Sequence, residues 1–146
     1  MVRRPSVLDL RWRPEHAYIP GRTVRHPEYL FDRFKPEADL PDALLSSCTA
    51  WYLGLSFFAE GFYWEAHEMW EAIWLRLEHA VPERAMVQSL IQLANAGLKA
   101  RMERPKAQAR LLDLARQARP DAAVLPLMGV TLAQWQSLKA QVSPIA

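Results

Sequence analysis

The chain has 146 residues, 51% of them apolar and 23% charged, which is enough for one domain with a packed core and too little for two. Eighteen Lys and Arg against sixteen Asp and Glu leave a net charge of +2, so bulk charge argues for no polyanionic partner. The lone cysteine, Cys48, excludes an internal disulfide, and no apolar run approaches the roughly 20 residues of a membrane helix.

These features predict a soluble protein in a reducing cytoplasm, and the start, Met-Val-Arg-Arg-Pro, runs into a polar, Pro-interrupted stretch rather than a signal-peptide core. The small net charge conceals three blocks. Residues 1–35 carry about +4, residues 36–83 about −8 and residues 84–146 about +6.

Prolines at positions 5, 14, 20, 27, 36 and 41 each remove an N–H and restrict the preceding residue, which predicts an extended arm over residues 1–40. Trp12, Tyr18, Tyr29, Phe31 and Phe34 give that arm something to dock with, so it is expected to lie across a helical domain formed by residues 41–146. From Asp42 to Val81 there is no proline. Leu44, Leu45, Cys48, Trp51, Tyr52, Leu55, Phe58 and Ala59 fall on one helical face, with Asp39 or Asp42 available as a cap and Gly61 as the stop. Further helices are predicted over about 62–79, 82–102 and 105–118, with Pro82 and Pro105 in their first turns. A fifth begins at Thr131, which has capping-box spacing to Gln134. Nothing reads as a strand, and the expected fold is all-α: a compact, irregular array of about five helices.

On the second predicted helix, Phe62, Ala66, Met69, Trp70, Ile73 and Leu77 form an apolar face. The opposite side collects His67, Glu68, Glu71 and Glu78 together with Trp64 and Leu75. His67 and Glu71 are four apart and can pair, while Glu68 and Glu71 are three apart and can point at one atom. The third helix carries Arg84, Gln88, Gln92, Asn95 and Lys99 on one narrow stripe, and is apolar around most of its circumference. Facing stripes would make a polar seam inside the bundle, with the acidic second helix seated between the basic arm and the basic C-terminal half.

Besides a metal-free ligand pocket, two readings of that seam stand. His67, Glu68 and Glu71 can hold one divalent metal ion for hydrolysis, with Glu65 or Lys99 assisting proton transfer and Arg84, Gln88, Gln92 or Asn95 holding water or a small-molecule substrate. His67-Glu68-Met69-Trp70-Glu71 differs from the HExxH pattern of zinc proteases by Glu71 in place of the second histidine. The other reading is non-catalytic: the acids are a solvated face or are neutralised by Arg84 and Lys99 in a structural network, and the protein is an interaction module. His26, before Pro27, is placed to join the seam if the arm folds over it, although a surface histidine is the ordinary alternative. Cys48 reads as a packed, inert thiol and His79 as the end of the second helix. Homodimerisation fits the apolar content, and nucleic-acid binding through the C-terminal basic block ranks last for want of a recognition motif.

The segment Phe57 to Trp74, Phe-Phe-Ala-Glu-Gly-Phe-Tyr-Trp-Glu-Ala-His-Glu-Met-Trp-Glu-Ala-Ile-Trp, resembles the aromatic-rich Tyr-x-Glu-Ala-His-Glu-x-x-Glu signature of the bacterial and archaeal domain-of-unknown-function family 309. The resemblance continues through Arg84 and Gln88-Ser-Leu-Ile-Gln-Leu-Ala to Lys99, and more loosely to Leu127-Met-Gly-Val. Tyr18-Ile-Pro-Gly and His26-Pro27 look like the opening segment of some bacterial members. It implies a small, all-helical array of about five helices. The metal-dependent hydrolase label attached to that family would place Glu65, His67, Glu68 and Glu71 at the centre of a site.

Overall fold

A computed structural model describes residues 6–145. Six α-helices follow in order: α1 (Val7–Arg11), α2 (Thr49–Ala59), α3 (Tyr63–Trp74), α4 (Pro82–Arg101), α5 (Pro105–Ala118) and α6 (Leu132–Gln141). Single 3-10 segments lie at Asp32–Phe34, Asp42–Ser47 and Ala122–Val124. No strand occurs among the described residues; one isolated antiparallel bridge joins Leu127 and Val130. Nor is any described helix long and apolar enough to cross a membrane.

The first of the predicted helices is interrupted. Residues 42–47 form a 3-10 segment, Cys48 is extended at φ −81° and ψ 165°, and only then does α2 begin. Ser46, Ser47, Cys48 and Thr49 are weak helix formers that bond readily to nearby backbone. The Ser47 hydroxyl indeed donates to the Leu44 carbonyl at 3.1 Å. Neither Asp39 nor Asp42 supplies a side-chain cap. Burial raises the Cys48 thiol pKa, in keeping with an unreactive packed group.

The end of α2 follows the sequence signal. Gly61 takes φ +85°, its N–H donates to the Phe58 carbonyl at 3.1 Å, and the Phe62 N–H reaches back to Phe57 at 2.8 Å. These two bonds are a Schellman motif, and glycine is what lets the chain turn there. The next helix, α3, is shorter than predicted and ends at Trp74 instead of His79. At its end the backbone tightens into i to i−3 bonds, Arg76 N–H to Ile73 and Leu77 N–H to Trp74, the Trp74 carbonyl also accepts from Arg84 Nε, and the Arg76 guanidinium turns away to the Glu37 and Leu40 carbonyls. His79 therefore lies in the connection to α4, where its ring accepts from Arg84 Nη1 at 2.6 Å.

Pro82 and Pro105 open α4 and α5, and Thr131 with Gln134 forms the capping box of α6. The core is built around α3, which packs on α2 and α4, while α4 packs along α5. Ala66, Met69, Trp70 and Ile73 are wholly buried on its inner face. At the far side, Trp135 of α6 donates through Nε1 to Ser89 Oγ, which donates to the Ala115 carbonyl, tying α6, α4 and α5 with two buried bonds.

Residues 6–40 are not uniformly extended, since Ser6 caps α1 and a 3-10 turn spans Asp32–Phe34. Trp12 packs on Phe34, Phe31 and Phe57, at ring separations of 5.0, 5.7 and 6.4 Å, and both Phe31 and Phe34 are buried.

Close approach of α2 and α3 depends on Gly54, because a Cβ there would sit 2.1 Å from the Trp70 indole Nε1. Alanine in place of glycine favours a helix by about 1 kcal/mol, whereas over-packing a core costs about 1–3 kcal/mol. The indole is rigid and wholly buried, so the clash wins. Gly54→Ala is expected to lower the melting temperature in a thermal scan; a raised one would show that the ring can move aside.

Candidate functional site

Helix α3 carries the signature, and its polar face starts one residue from the apolar stripe. Glu65 lies beside Ala66 of that stripe, and the segment that carries Tyr18 and His26 covers it. Its side chain has no solvent exposure and that of His26 only 4%. Glu65 Oε2 accepts a hydrogen bond from His26 Nε2 at 2.6 Å and from the Tyr18 backbone N–H at 2.7 Å. Its other oxygen, Oε1, is buried with no hydrogen-bond partner among the described residues. Trp64, Tyr18, His16 and Phe31 surround the pair. The His26 ring lies 4.9 Å from His16, 5.2 Å from Phe31 and 5.8 Å from Trp64.

In the fold Glu65 is the most buried acid of the signature, whereas Glu68 and Glu71 keep part of their surface in solvent. A buried carboxylate needs donors or a cation, and they come from 39 and 47 residues away in the chain.

The neighbouring acids repeat the theme at the rim. Arg13 Nε and Nη2 donate to Glu60 at 3.0 and 2.6 Å, and Lys35 Nζ stands 3.8 Å from Glu68 and 3.2 Å from Asp32. The basic N-terminal block thus pairs with the acidic block, as the charge pattern suggested. The C-terminal basic block does not. Arg116 pairs locally with Asp113, and Arg119 stacks on Trp135.

His67 and Glu71 do pair, with His67 Nε2 at 2.7 Å from Glu71 Oε2. The other ring nitrogen, Nδ1, lies 3.3 Å from the Trp64 carbonyl, so both nitrogens face oxygens. The α4 stripe is placed differently from the expected interior seam. Gln88 is exposed, and Gln92, Asn95 and Lys99 are half-buried. Among the described residues, no hydrogen bond or ion pair joins Glu65, Glu68 or Glu71 to Arg84, Gln88, Gln92, Asn95 or Lys99. The facing surfaces of α3 and α4 are apolar, and Gly97 admits the Tyr63 ring, 2.7 Å from where a Cβ would be. Arg84 lies flat on Trp74 at 3.8 Å, where it caps the end of α3. The stripe therefore borders the helix pair at its surface, because close apolar packing leaves no interior space for side chains of that length.

As a metal set, His67, Glu68 and Glu71 bring two donors together while Glu68 turns toward Lys35. No group of three or more His, Cys, Asp or Glu side chains among the described residues is arranged to hold a metal ion. A cavity of about 400 Å³ lies elsewhere, between Asp42, Leu77, Glu83 and Met128, and includes none of the signature residues.

The family model for DUF309, a domain of unknown function, matches residues 36–111, which is α2, α3, α4 and the first half of α5. The chain belongs to the DUF309 family. No curated protein and no solved structure matches it. The DUF309 region contains Glu60, Glu65 and Glu68, but Arg13, Tyr18, His26 and Lys35, which satisfy them, precede it. Of those four, only His26 stood out in the sequence, as a residue that the arm could bring to the seam. The alternation of charge blocks was the available signal for Arg13 and Lys35, and a backbone N–H such as that of Tyr18 has no signal.

Hydrogen bonds from Arg13 hold the Glu60 carboxyl below its usual pKa. A depressed folded pKa gives stability that is present above the unfolded carboxylate range and is lost as pH falls through the folded value. Both side chains are partly exposed, so the pair is worth about 0.2–1 kcal/mol. Glu60→Gln should lower the urea midpoint slightly at pH 7, and the difference from wild type should vanish in acid. A gap that widens in acid would contradict this assignment.

Proposed function

We propose that this DUF309 chain is a non-catalytic helical module in which the acidic signature of α3 is a hydrogen-bond and ion-pair network that latches residues 6–40, as an arm, onto the helical body. The observation that carries the reading is the wholly buried Glu65 carboxylate, held by His26 and the Tyr18 N–H. Supporting it, the acids of the same face are engaged by Arg13 and Lys35 from the same segment, and His67 is engaged by Glu71. A single free thiol, raised in pKa by burial, is compatible with the cytoplasm as its location.

Removing one member of a buried pair leaves the other uncompensated, which costs about 3–5 kcal/mol, and neutralising the acid while keeping its shape costs about 1.5–3 kcal/mol. His26→Ala and Glu65→Gln should each lower stability by amounts in those ranges, and the double variant by clearly less than their sum, measured by urea denaturation. Additive losses, or none, would remove the latch.

A second reading, a divalent-metal hydrolase site, draws on the convergence of His67 Nε2 and Glu71 Oε2 within one helical turn. It requires Glu68 to leave Lys35 and join them, with Glu65 and Lys99 as proton-transfer groups and Arg84, Gln88, Gln92 and Asn95 as ligand contacts. The two readings differ in metal content. Under the latch reading, protein purified without chelator carries sub-stoichiometric metal and melts at the same temperature with or without EDTA. Stoichiometric metal that disappears in Glu68→Gln would favour the hydrolase.

A further inference from the structure

Resting on the latch reading, we infer that the face formed by Glu60, Glu65 and Glu68 is a docking site for an extended segment of another protein that carries arginine beside aromatic residues, and that residues 12–35 occupy it in cis. Glu65 defines the chemistry. Both donors from the arm fall on Oε2, and buried Oε1 receives none. An imidazole can offer that carboxylate one N–H, whereas a guanidinium presents a planar fork of donors that can engage both oxygens at once. The histidine in place is thus an incomplete match for the group it neutralises.

The walls fit the same class of ligand. Trp64 receives the edge of Tyr18 at 5.2 Å, and Phe57 is covered by Trp12 and by the Arg13 guanidinium at 5.6 Å. Glu60 already binds a guanidinium through two nitrogens at the rim, and Glu68 holds a lysine only loosely, at 3.8 Å. Acids alternate with aromatic surfaces on the DUF309 helices, and bases alternate with aromatics on the segment that covers them.

The occupant also has the marks of a removable one. It lies outside the family region, whereas the surface it covers lies within. Within it Val24 and Tyr29 are about three-quarters exposed, and Phe31 and Phe34 are its buried anchors. Three of its four charge contacts with the rest of the chain, Arg13 with Glu60, Arg22 with Glu103 and Lys35 with Glu68, are at partly exposed positions that add little. Against a competitor, its advantage is the tether, equivalent to an effective concentration of about millimolar. A foreign segment gains access when it supplies the second set of donors that His26 lacks.

The test uses the full chain carrying His26→Ala, so that the tethered segment is weakened, and fluorescein-labelled synthetic peptides of residues 12–35 with histidine, arginine (H26R) or alanine (H26A) at position 26. Fluorescence anisotropy should rank H26R tightest, about tenfold or more above H26A. The unsubstituted full chain should bind each peptide more weakly. Adding Glu65→Gln to the receptor should erase the H26R advantage, with a melting curve to show that it is folded. Glu60→Gln and Glu68→Gln, at the rim, should each weaken binding a few-fold and keep the test valid if the Glu65 variant does not fold. Affinity indifferent to position 26 and to the rim acids, or no binding, overturns the docking site. A concentration-dependent dimer of the His26→Ala chain in sedimentation would assign the site to a second copy's arm and overturn the foreign partner. If peptides fail to bind while His26 and Glu65 still couple in stability, the latch stands without docking; if that coupling is absent, the latch itself fails.

Discussion

A carboxylate that has lost all contact with water must be given donors or a cation, and at Glu65 that requirement organises the N-terminal third of the molecule. The donors have to arrive at the first turn of α3 from a segment that has no helix long enough to pack there. They come as one ring nitrogen and one backbone N–H, with aromatic rings closing over them. Desolvating the acid without them would cost several times what a surface ion pair returns. The rim contacts of Glu60 and Glu68 are then secondary: they orient the segment, and the buried pair with Phe31 and Phe34 holds it.

The same helix meets opposite demands on its other side. Trp70 can lie against α2 because Gly54 has no side chain, and Tyr63 can lie against α4 because Gly97 has none. These contacts bring α2, α3 and α4 so close that a polar layer between α3 and α4 has no space. That is why the amide stripe of α4 is displaced to the surface, and why His67 and Glu71 satisfy each other. The charge pattern had suggested a sandwich with cationic partners on both flanks of the acidic helix. Among the described residues only the N-terminal flank is realised: Arg84 meets the Trp74 ring and carbonyl, Arg101 the Tyr63 ring, Arg119 the Trp135 ring, and Arg116 pairs within its own helix.

For the DUF309 family region, this arrangement separates two roles that the signature alone merges. Ala66, Met69, Trp70 and Ile73 build the core, while Glu65 faces a segment contributed from outside that region. His67 and Glu71 lie on a third, half-open side, where they close on each other.

Sequence alone determined the all-helical class, the starts of α4, α5 and α6, the stop at Gly61 and the inner face of α3, because each rests on interactions within a few residues: proline in a first turn, a capping box, a left-handed glycine, a 3.6-residue period. It also marked His26 and the acidic helix as worth attention. The early end of α3 and the direction in which the acids point were decided by the tertiary structure. Each is set by a group distant in the chain: Arg84 and Arg76 at the end of α3, Tyr18 and His26 at Glu65, Lys35 at Glu68. Local periodicity places a side chain on a helix face. Whether that face meets water, a cation or another helix depends on which remote segment packs against it, and the packing of Trp70 and Tyr63 on glycines made that choice here.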